Sequence, residues 1–562
     1  MNHHLNLRSK LIIMLSVMAS LFLVALDQTI IATALGKITE EFNAFSSLSL
    51  IVTAYLITTT ITVPIAGKLS DLFGRRRLLL IGVAIFTLAS LFSGAAGDIN
   101  QLIIWRAVQG IGGGIITANA FTIVGDLFAA RERGKWQGLL GAVFGLSSVI
   151  GPLLGGWLTE GQTLFGVTTD WRWTFYINIP IGIIAFVVIA ILCPALRHAK
   201  KPSIDYKGAA LLALALATLV LAVDNTETIF QGLLSATGLT IEWLRIIMFS
   251  IVAAAIIAFI SVERKAEEPI LPLSFFKNRN FVLIMSVATL FGAAFMGSIL
   301  YLTQFNQQVF GASPTESGLM LLPMVGGIMA ASITVGQLIS KTGRYKIFLQ
   351  IGFSMATVAM AFLSTLTPES GYTYEAIIMV VLGLGMGVAM PVINLAVQNE
   401  FTQAELGAAT SSSQLFRSLG STIGTAVFGA LLTTGIVAQL SNIQQDTYLQ
   451  NLRSNPSAQQ IGDLTDVNTL LTLNMPDIKQ QITRGAQQKF DSLQPMEQTQ
   501  AADMFTRQQE KFASNVTHAF SDSLRNIFIA ASILMACATT LIFFIKEKPL
   551  AAAKPQETPG EV

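Results

Sequence analysis

GKLSDLFGRRR, residues 67–77, stands between two apolar runs, 47–68 and 78–97, each about twenty residues long. A helix needs about twenty apolar residues to cross the ~30 Å hydrocarbon core of a bilayer. A soluble helix would alternate apolar and polar faces instead. The stretch therefore reads as a short connection between two membrane-crossing helices. Gly67 and Gly74 permit a tight turn, and Arg75, Arg76 and Arg77 anchor it among lipid headgroups. A weakened copy, GQLISKTGRYK, occupies residues 336–346 after another apolar run. Gly67, Leu69, Gly74 and Arg75 recur there as Gly336, Leu338, Gly343 and Arg344, 269 residues on. The same pattern at the same kind of helix-pair boundary predicts a duplicated chain.

Working outward, about fourteen such runs are found: 11–36, 47–68, 78–97, 101–125, 136–158, 173–195, 206–224, 243–262, 281–308, 316–340, 345–366, 374–398, 408–438 and 520–545. Only 12% of the 562 residues are charged and 52% are hydrophobic, against about 25% charged in soluble chains. The expected fold class is an all-α polytopic membrane protein. Two six-helix units are separated by two extra helices, near 206–224 and 243–262. The expected divisions are 1–200 for the first bundle, 201–270 for the linker helices and 271–438 for helices nine to thirteen. An outer segment, 439–519, and a last helix with its tail, 520–562, follow. The first run, from Leu11, is too long for a signal h-region and has no small-residue cleavage site after it, so it is taken as the first span. Basic residues crowd one set of short loops: Arg75 to Arg77, Arg131, Arg133 and Lys135, Arg264 and Lys265, and Lys341, Arg344 and Lys346. The opposite short loops hold little beyond Lys37 and Arg172. This asymmetry places both termini in the cytoplasm and the long polar segment outside.

Several function classes are excluded. A net charge of +2 gives no bulk basic character to draw nucleic acid. Cys193 and Cys537 lie far apart in apolar runs with no metal or redox spacing, and the four histidines all lie outside the runs. No GxxxxGK[ST] phosphate loop is present, and no acid pair, metal cluster or activated nucleophile suggests an enzyme. No cofactor is expected.

Two charges interrupt the first-half runs: Asp27 in ALDQTIIATAL and Arg106 in WRAVQGIGGG. At ~1.5 Å per residue, Asp27 lies roughly 10–15 Å and Arg106 roughly 8 Å below the outer boundary. A charge in hydrocarbon is costly unless paired or hydrated, and its default reading is functional. Two readings stand: Asp27 gains and loses a proton during a working cycle, or it forms a fixed ion pair with Arg106 that only sets helix packing. Further along, GLSSVIGPLLGGWL (145–158) carries Gly151, Pro152, Gly155 and Gly156, which bend a helix and allow close approach by another. WRWTFYINIPIG (171–182) supplies an interfacial aromatic belt from Trp171, Trp173 and Tyr176, and a buried polar Asn178.

These motifs, dense over 26–182 and thin beyond, resemble the major facilitator superfamily, specifically its fourteen-helix drug:proton antiporter branch, the EmrB- and QacA-like multidrug efflux transporters. The resemblance implies a proton-coupled exporter of small amphipathic or hydrophobic molecules, working by alternating access and powered by the proton gradient. It implies a monomer in a bacterial inner or plasma membrane. It implies that Asp71, Arg75 and Asp126, with Gly67 and Gly74, form a charge latch that locks the halves when the cavity faces outward. Asp71 is then expected at the N-terminus of the span starting near Gly407, where a helix dipole favours an anion. Ser340 stands where Asp71 does in the second copy, so only the first half can make this latch. The Gly151–Pro152 bend is implied to govern leakage and gating.

In the second half, Gly residues in GLGMGVAMPVINLAVQNE (383–400) and RSLGSTIGTAVFG (417–429) recur at near four-residue spacing, the close-packing pattern. Gln109, Asn178, Gln304, Asn306, Asn394 and Gln398 are candidates to line a cavity, though packing hydrogen bonds explain them equally well. No acid is evident at mid-membrane in this half, since Glu316 and Glu400 read as span ends. Monovalent, neutral or zwitterionic substrates are therefore expected. Phe505, Phe512, Val516 and Phe520 recur at helical spacing, so the last span is a candidate to extend outside as an amphipathic helix. Such an extension could cover the cavity mouth, rest on the outer leaflet or meet a periplasmic partner. A solvated linker is the plainer alternative. The rival function is a dedicated exporter of a lipid, glycolipid or siderophore, which the long outer segment suits.

Overall fold

The computed structural model describes residues 6–42, 48–159, 161–164, 166–193, 204–223, 226–312, 314–439, 446–453, 469–470, 473–474, 476–490 and 494–550. The expected boundary at 200/201 and much of 440–475, within the expected segment 439–519, lie outside these residues. Among the described residues fourteen helices are long and apolar enough to cross a membrane, the number counted from the apolar runs. Spanning elements must be helical or closed barrels, because hydrocarbon offers no partner for a backbone N–H or C=O.

The first half comprises α1 (Leu7–Glu41), α2 (Leu48–Phe73), α3 (Arg75–Gly94), α4 (Ile99–Leu127) and α5 (Ala130–Thr159), with α6 (Trp173–Tyr176) and α7 (Asn178–Leu192) forming the sixth span. Here α1 packs on α5 and α7, α2 on α4, and α3 on α4 and α7. The linker spans are α8 (Tyr206–Val223) and α10 (Ile241–Glu263), joined by the short amphipathic α9 (Thr226–Thr237). They pack on each other, and α8 also touches α2 and α16 (Leu406–Gln439). The second half continues through α11 (Arg279–Gln308), α12 (Pro314–Met320), α13 (Leu322–Thr342), α14 (Lys346–Leu363), α15 (Tyr372–Gln398) and α16. Among the described residues two further helices, α17 (Thr447–Arg453) and α18 (Pro476–Phe490), precede the last, α19 (Pro495–Phe544). In this half α11 packs on α16 and α19, and α15 on α13 and α14.

Three sequence expectations are refined. Residues 67–73 are not a turn, because α2 runs on through them to Phe73. Only Gly74 breaks the chain, at φ 93°, and its repeat partner Gly343 has φ 72°; the two copies share the one left-handed position that favours glycine. The run 316–340 is interrupted at Leu321, because Pro323 lacks an N–H and starts a new helix. The last span is one unbroken helix of 50 residues, whose N-terminal part sets the Phe512 ring 5.2 Å from that of Tyr448 and buries Phe512 and Val516 in the core cluster that includes Leu449 and Leu473.

The halves meet along two seams, α5 on α13 and α2 on α16. Both the start of α1 and the 546–550 segment lie on the face that carries the basic loops. There Lys10 Nζ sits 5.6 Å from the Phe128 ring, and the Leu550 N–H donates to Gly343 O at 3.1 Å.

Candidate functional site

Asp27, on α1, is sealed inside the first half with about 1% of its surface exposed. Arg106 of α4 donates from Nη1 to Asp27 Oδ2 at 2.5 Å, and the Arg106 side chain is equally enclosed. Gln109, one turn further along α4, donates to Asp27 Oδ1 at 2.8 Å, and Asn178 of α7 reaches the same oxygen at 3.2 Å. Ser90 Oγ of α3 accepts from Gln109 at 2.8 Å and from Asn178 at 3.3 Å. The guanidinium lies 4.4 Å from the Tyr55 ring centroid, a cation–π contact from α2. Five helices thus converge on one carboxylate. The carboxylate is compensated by a cation and two amides, so it is tolerable as an anion. The site has a ready way to respond to a proton: protonation of Asp27 removes the charge that Arg106 opposes.

Toward the basic face, Arg75 is enclosed beneath α2. Its Nε donates to Asp126 Oδ2 at 2.8 Å, and its other nitrogens reach Asp71 and Ser70. Asp71 in turn accepts from the backbone N–H groups of Gly407 at 3.1 Å and Ala408 at 3.0 Å, at the start of α16. A carboxylate facing a helix N-terminus is a favourable arrangement. Gly67 lies where α2 crosses α16; a Cβ there would come within 2.9 Å of Gly407 O and collide with Ser411. Gln398 of α15 donates to Phe121 O at 3.0 Å and Thr410 Oγ1 at 3.2 Å, and Gln137 of α5 donates to Phe121 O at 3.1 Å and Gln398 Oε1 at 3.4 Å. On the other seam Arg131 Nε donates to Ser340 O at 2.9 Å, and Ser340 Oγ returns a bond to Arg131 O at 2.7 Å. The basic face is therefore held shut by a carboxylate on one seam and by bonds to backbone carbonyls on the other.

On α5, Gly151 and Gly155 meet α1 around Thr29 to Thr33, while Pro152 lies 3.6 Å from the position of a Cβ on Gly318 of α12, and Gly156 is partly exposed. Of the residues expected to line a cavity, only Gln304 is partly exposed in this conformation. Gln109 and Asn178 spend their amides on Asp27. Asn394 and Gln398 are enclosed at the seam, and Asn306 is enclosed against Glu375.

Glu375 is the residue that the sequence reading missed. It has no exposed surface, and with its nitrogen turned toward the carboxyl the Asn306 amide stands 2.9 Å from both oxygens. Its only sequence signal was an acid one turn into an apolar run, TYEAIIMVV, which looks like a span end. On the opposite face from the latch, Trp171 Nε1 and Arg172 both donate to Glu41 at the end of α1, at 2.6 and 2.7 Å. Arg172 holds the Glu41 carboxyl below its usual value. Among the described residues no group of three or more His, Cys, Asp or Glu is placed to hold a metal.

A duplicated bundle of fourteen spans with a bolted seam defines a membrane transporter. The Major Facilitator Superfamily profile matches residues 17–425, and the chain belongs to that family. It is a multi-pass membrane transporter, not an enzyme. The chain is 35% identical over 549 residues to the multidrug transporter protein MdtP of Bacillus subtilis, covering 96% of this chain and 93% of that one. It is 34% identical to multidrug resistance protein 3 of the same organism, covering 81% and 85%, and 30% identical to the efflux pump dotC of Dothistroma septosporum, covering 86% and 80%. Among solved structures it resembles the human organic anion transporter MFSD10, with a TM-score of 0.55, 14% identity and coverage of 75% and 93%. The xylose symporter XylE superposes at the same score, with 16% identity and coverage of 76% and 90%. Likeness at that identity speaks for the fold alone.

Proposed function

We propose that this protein is a proton-coupled antiporter that exports small amphipathic or hydrophobic compounds by alternating access. The observation that carries this reading is the Asp27 cluster: an enclosed carboxylate in the first half whose only cationic partner among the described residues is Arg106. In the conformation described, the anion is paired and the basic face is closed. Taking that face as cytoplasmic, with both termini inside, this is the outward-facing stage. A proton arriving at Asp27 cancels its attraction for Arg106. The freed cation and amides then repack, which favours release of the seam and opening to the cytoplasm. Loss of the proton there restores the pair and re-forms the latch of Asp71, Arg75 and Asp126. No cofactor is required, since the proton gradient supplies the energy. The relatives whose names specify multidrug transport or efflux support export as the direction. The reading places the protein as a monomer in a bacterial inner or plasma membrane. Residues 1–200 and the second half from 271 act as the two moving bodies, with 201–270 as a linker.

The test is proton flux in proteoliposomes driven by added dye. Asp27→Asn is expected to abolish dye-dependent proton flux while inserting normally, and undiminished pumping by that variant would overturn the assignment. A second reading, a dedicated exporter of a lipid-like compound, draws support from the outer helices that pack on the extension of α19. These also offer a surface for a periplasmic partner. Saturation by one native lipid, with no response to a dye panel, would favour it.

A further inference from the structure

Midway along α16 begins a chain of polar groups that the proton site and the latch do not use. Arg417 Nη2 donates to Gln414 Oε1 at 2.8 Å, and Gln414 Nε2 donates to Asn394 Oδ1 of α15 at 3.2 Å. Both amide oxygens in the chain are therefore already filled from within it. What is left over is donors. Asn394 Nδ2 and Arg417 Nε are buried and, among the described residues, have no hydrogen-bond partner. Asn394 is 1% exposed and Gln414 2%. No acid among the described residues stands close enough to compensate Arg417.

Position adds a second argument. Met390, Asn394 and Gln398 fall at four-residue spacing on one face of α15. Met390 packs against the core of the first half, and Gln398 bonds to Phe121 O of that half. Asn394, between them, is therefore on the seam. Along α16, Arg417 follows Gly407, which caps Asp71, by ten residues, or ~15 Å at the rise of a helix. That is about half of the ~30 Å hydrocarbon thickness. The open donors thus sit near mid-depth, just beyond the Gln137–Gln398–Thr410 bonds that close the basic face. A site between two related halves near the midplane is where transporters of this plan hold their cargo.

An unpaired cation in a membrane interior is costly, and buried donors without acceptors are rare. One kind of group satisfies both at once: an anionic oxygen pair, which fits the side-on fork of a guanidinium. We propose that Asn394, Gln414 and Arg417 form a binding subsite for the carboxylate, sulfonate or phosphate group of an amphipathic anion. This adds an anionic group to the monovalent, neutral or zwitterionic substrates expected from the sequence. It rests on the export reading only for what happens after binding.

Binding is read without a pH gradient, so it stands or falls separately from proton coupling. Fluorescein and rhodamine 123 share a xanthene ring system and differ in charge. Their fluorescence anisotropy is titrated with the purified full-length protein in detergent. The wild type is expected to bind fluorescein, and Arg417→Gln to weaken it at least tenfold while changing rhodamine 123 by less than about twofold. Arg417→Lys, which keeps the charge and loses the fork, falls between. If Arg417→Gln does not fold by size exclusion and melting, Asn394→Leu serves, with an expected several-fold loss for fluorescein alone. Adding phosphatidylglycerol against phosphatidylcholine separates two sources of the anion: selective displacement by the former means a lipid headgroup occupies the subsite. Failure of the wild type to bind fluorescein, or an equal loss of both dyes in the variants, overturns the proposal. Fluorescein bound but never pumped would sink the export reading and leave this one intact.

Discussion

Glu375 and Asn306 are each wholly enclosed, and the amide that serves the carboxyl as donor to its anion can turn over and accept from its neutral form. Shape is therefore what this pair needs most. Glu375→Gln is expected to stay within about 1 kcal/mol of wild type, whereas Glu375→Leu strands the Asn306 amide and costs about 1–3 kcal/mol. Thermal melting in detergent measures both, and equal losses would show that the pair does not carry the effect. At the opposite extreme of exposure, Glu41 accepts from Arg172 and Trp171 and its pKa is held down, mainly by the Arg172 hydrogen bond. The sign follows from linkage: a lowered acid contributes stability that is complete above its unfolded value of 4.5 and disappears as pH falls through the lowered one. The melting temperature of Glu41→Gln should lie below wild type at pH 7 and converge with it in strong acid; a gap independent of pH would refute the ionic origin. Residues of this kind differ in how visible they are from sequence. Asp27 and Arg106 were legible because each interrupts a long apolar run. Glu375 was not, since an acid one turn from a helix start looks the same whether it meets water or an amide. Gln109 and Asn178 were seen as polar groups in the membrane, but their convergence on Asp27 depends on the packing of α1, α4 and α7, which periodicity does not contain.

Helices α5 and α13 cross on backbone rather than on side chains. Gly134 and Gly138 of α5 face Gly336 and Ser332 of α13, and a Cβ on Gly138 would collide with the Ser332 carbonyl. Close approach of this kind lets two spans pack through van der Waals contact and small hydrogen bonds, without the hydrophobic effect that drives association in water. Gly138→Val is expected to hold this seam apart and leave the basic face open. Maleimide labelling of a cysteine at Ser340, which now bonds across the seam to Arg131, reports it. A several-fold faster reaction in the valine background is the expected result, and an unchanged rate would mean the helices absorb the side chain by sliding. At this scale the sequence was most informative: all fourteen spans follow from run length, because hydrocarbon thickness sets a minimum that no soluble helix must meet. Ends were less legible. Residues 67–73 looked like a turn because Gly, Lys, Ser and Asp are poor lipid-facing residues, yet they continue α2 since their polar side is covered by α16. The 50-residue α19 crosses from polar to apolar composition with no break, and backbone hydrogen bonding carries it through.

The duplication in the chain becomes an asymmetry in the molecule. Equivalent positions of the two copies are Asp71 and Ser340; one offers a carboxylate to Gly407 and Ala408 of the opposite half, and the other exchanges two bonds with Arg131 in which only backbone carbonyls accept. The seams therefore respond differently to charge. On the proposed cycle the α5–α13 seam serves as a hinge and the seam crossed by Asp71 as the bolt, a division that shows in the sequence only as the replacement of one letter. Asp71→Asn tests it for the whole transporter. The amide can still accept one backbone N–H, but it loses its charge at the helix N-terminus and one of the two acids that face Arg75. Charge-assisted bonds are worth roughly 1.5–3 kcal/mol each, and a helix terminus adds up to ~2 in enclosed geometry. A net loss of about 2–3 kcal/mol from the closed state alone corresponds to a shift of about 30–150-fold toward the alternative, at ~1.4 kcal/mol per tenfold. Spin labels at Arg77 and Ala404, both exposed and on either side of the seam that Asp71 crosses, should then show a larger long-distance fraction by pulsed electron resonance. Asp71→Glu, which keeps the charge on a longer arm, should shift it less. Because the closed state is the only one that contains the Asp71–Gly407 contact, the substitution has no means of stabilising the closed form. A distance distribution identical to wild type would therefore mean that the α5–α13 seam alone holds the face shut.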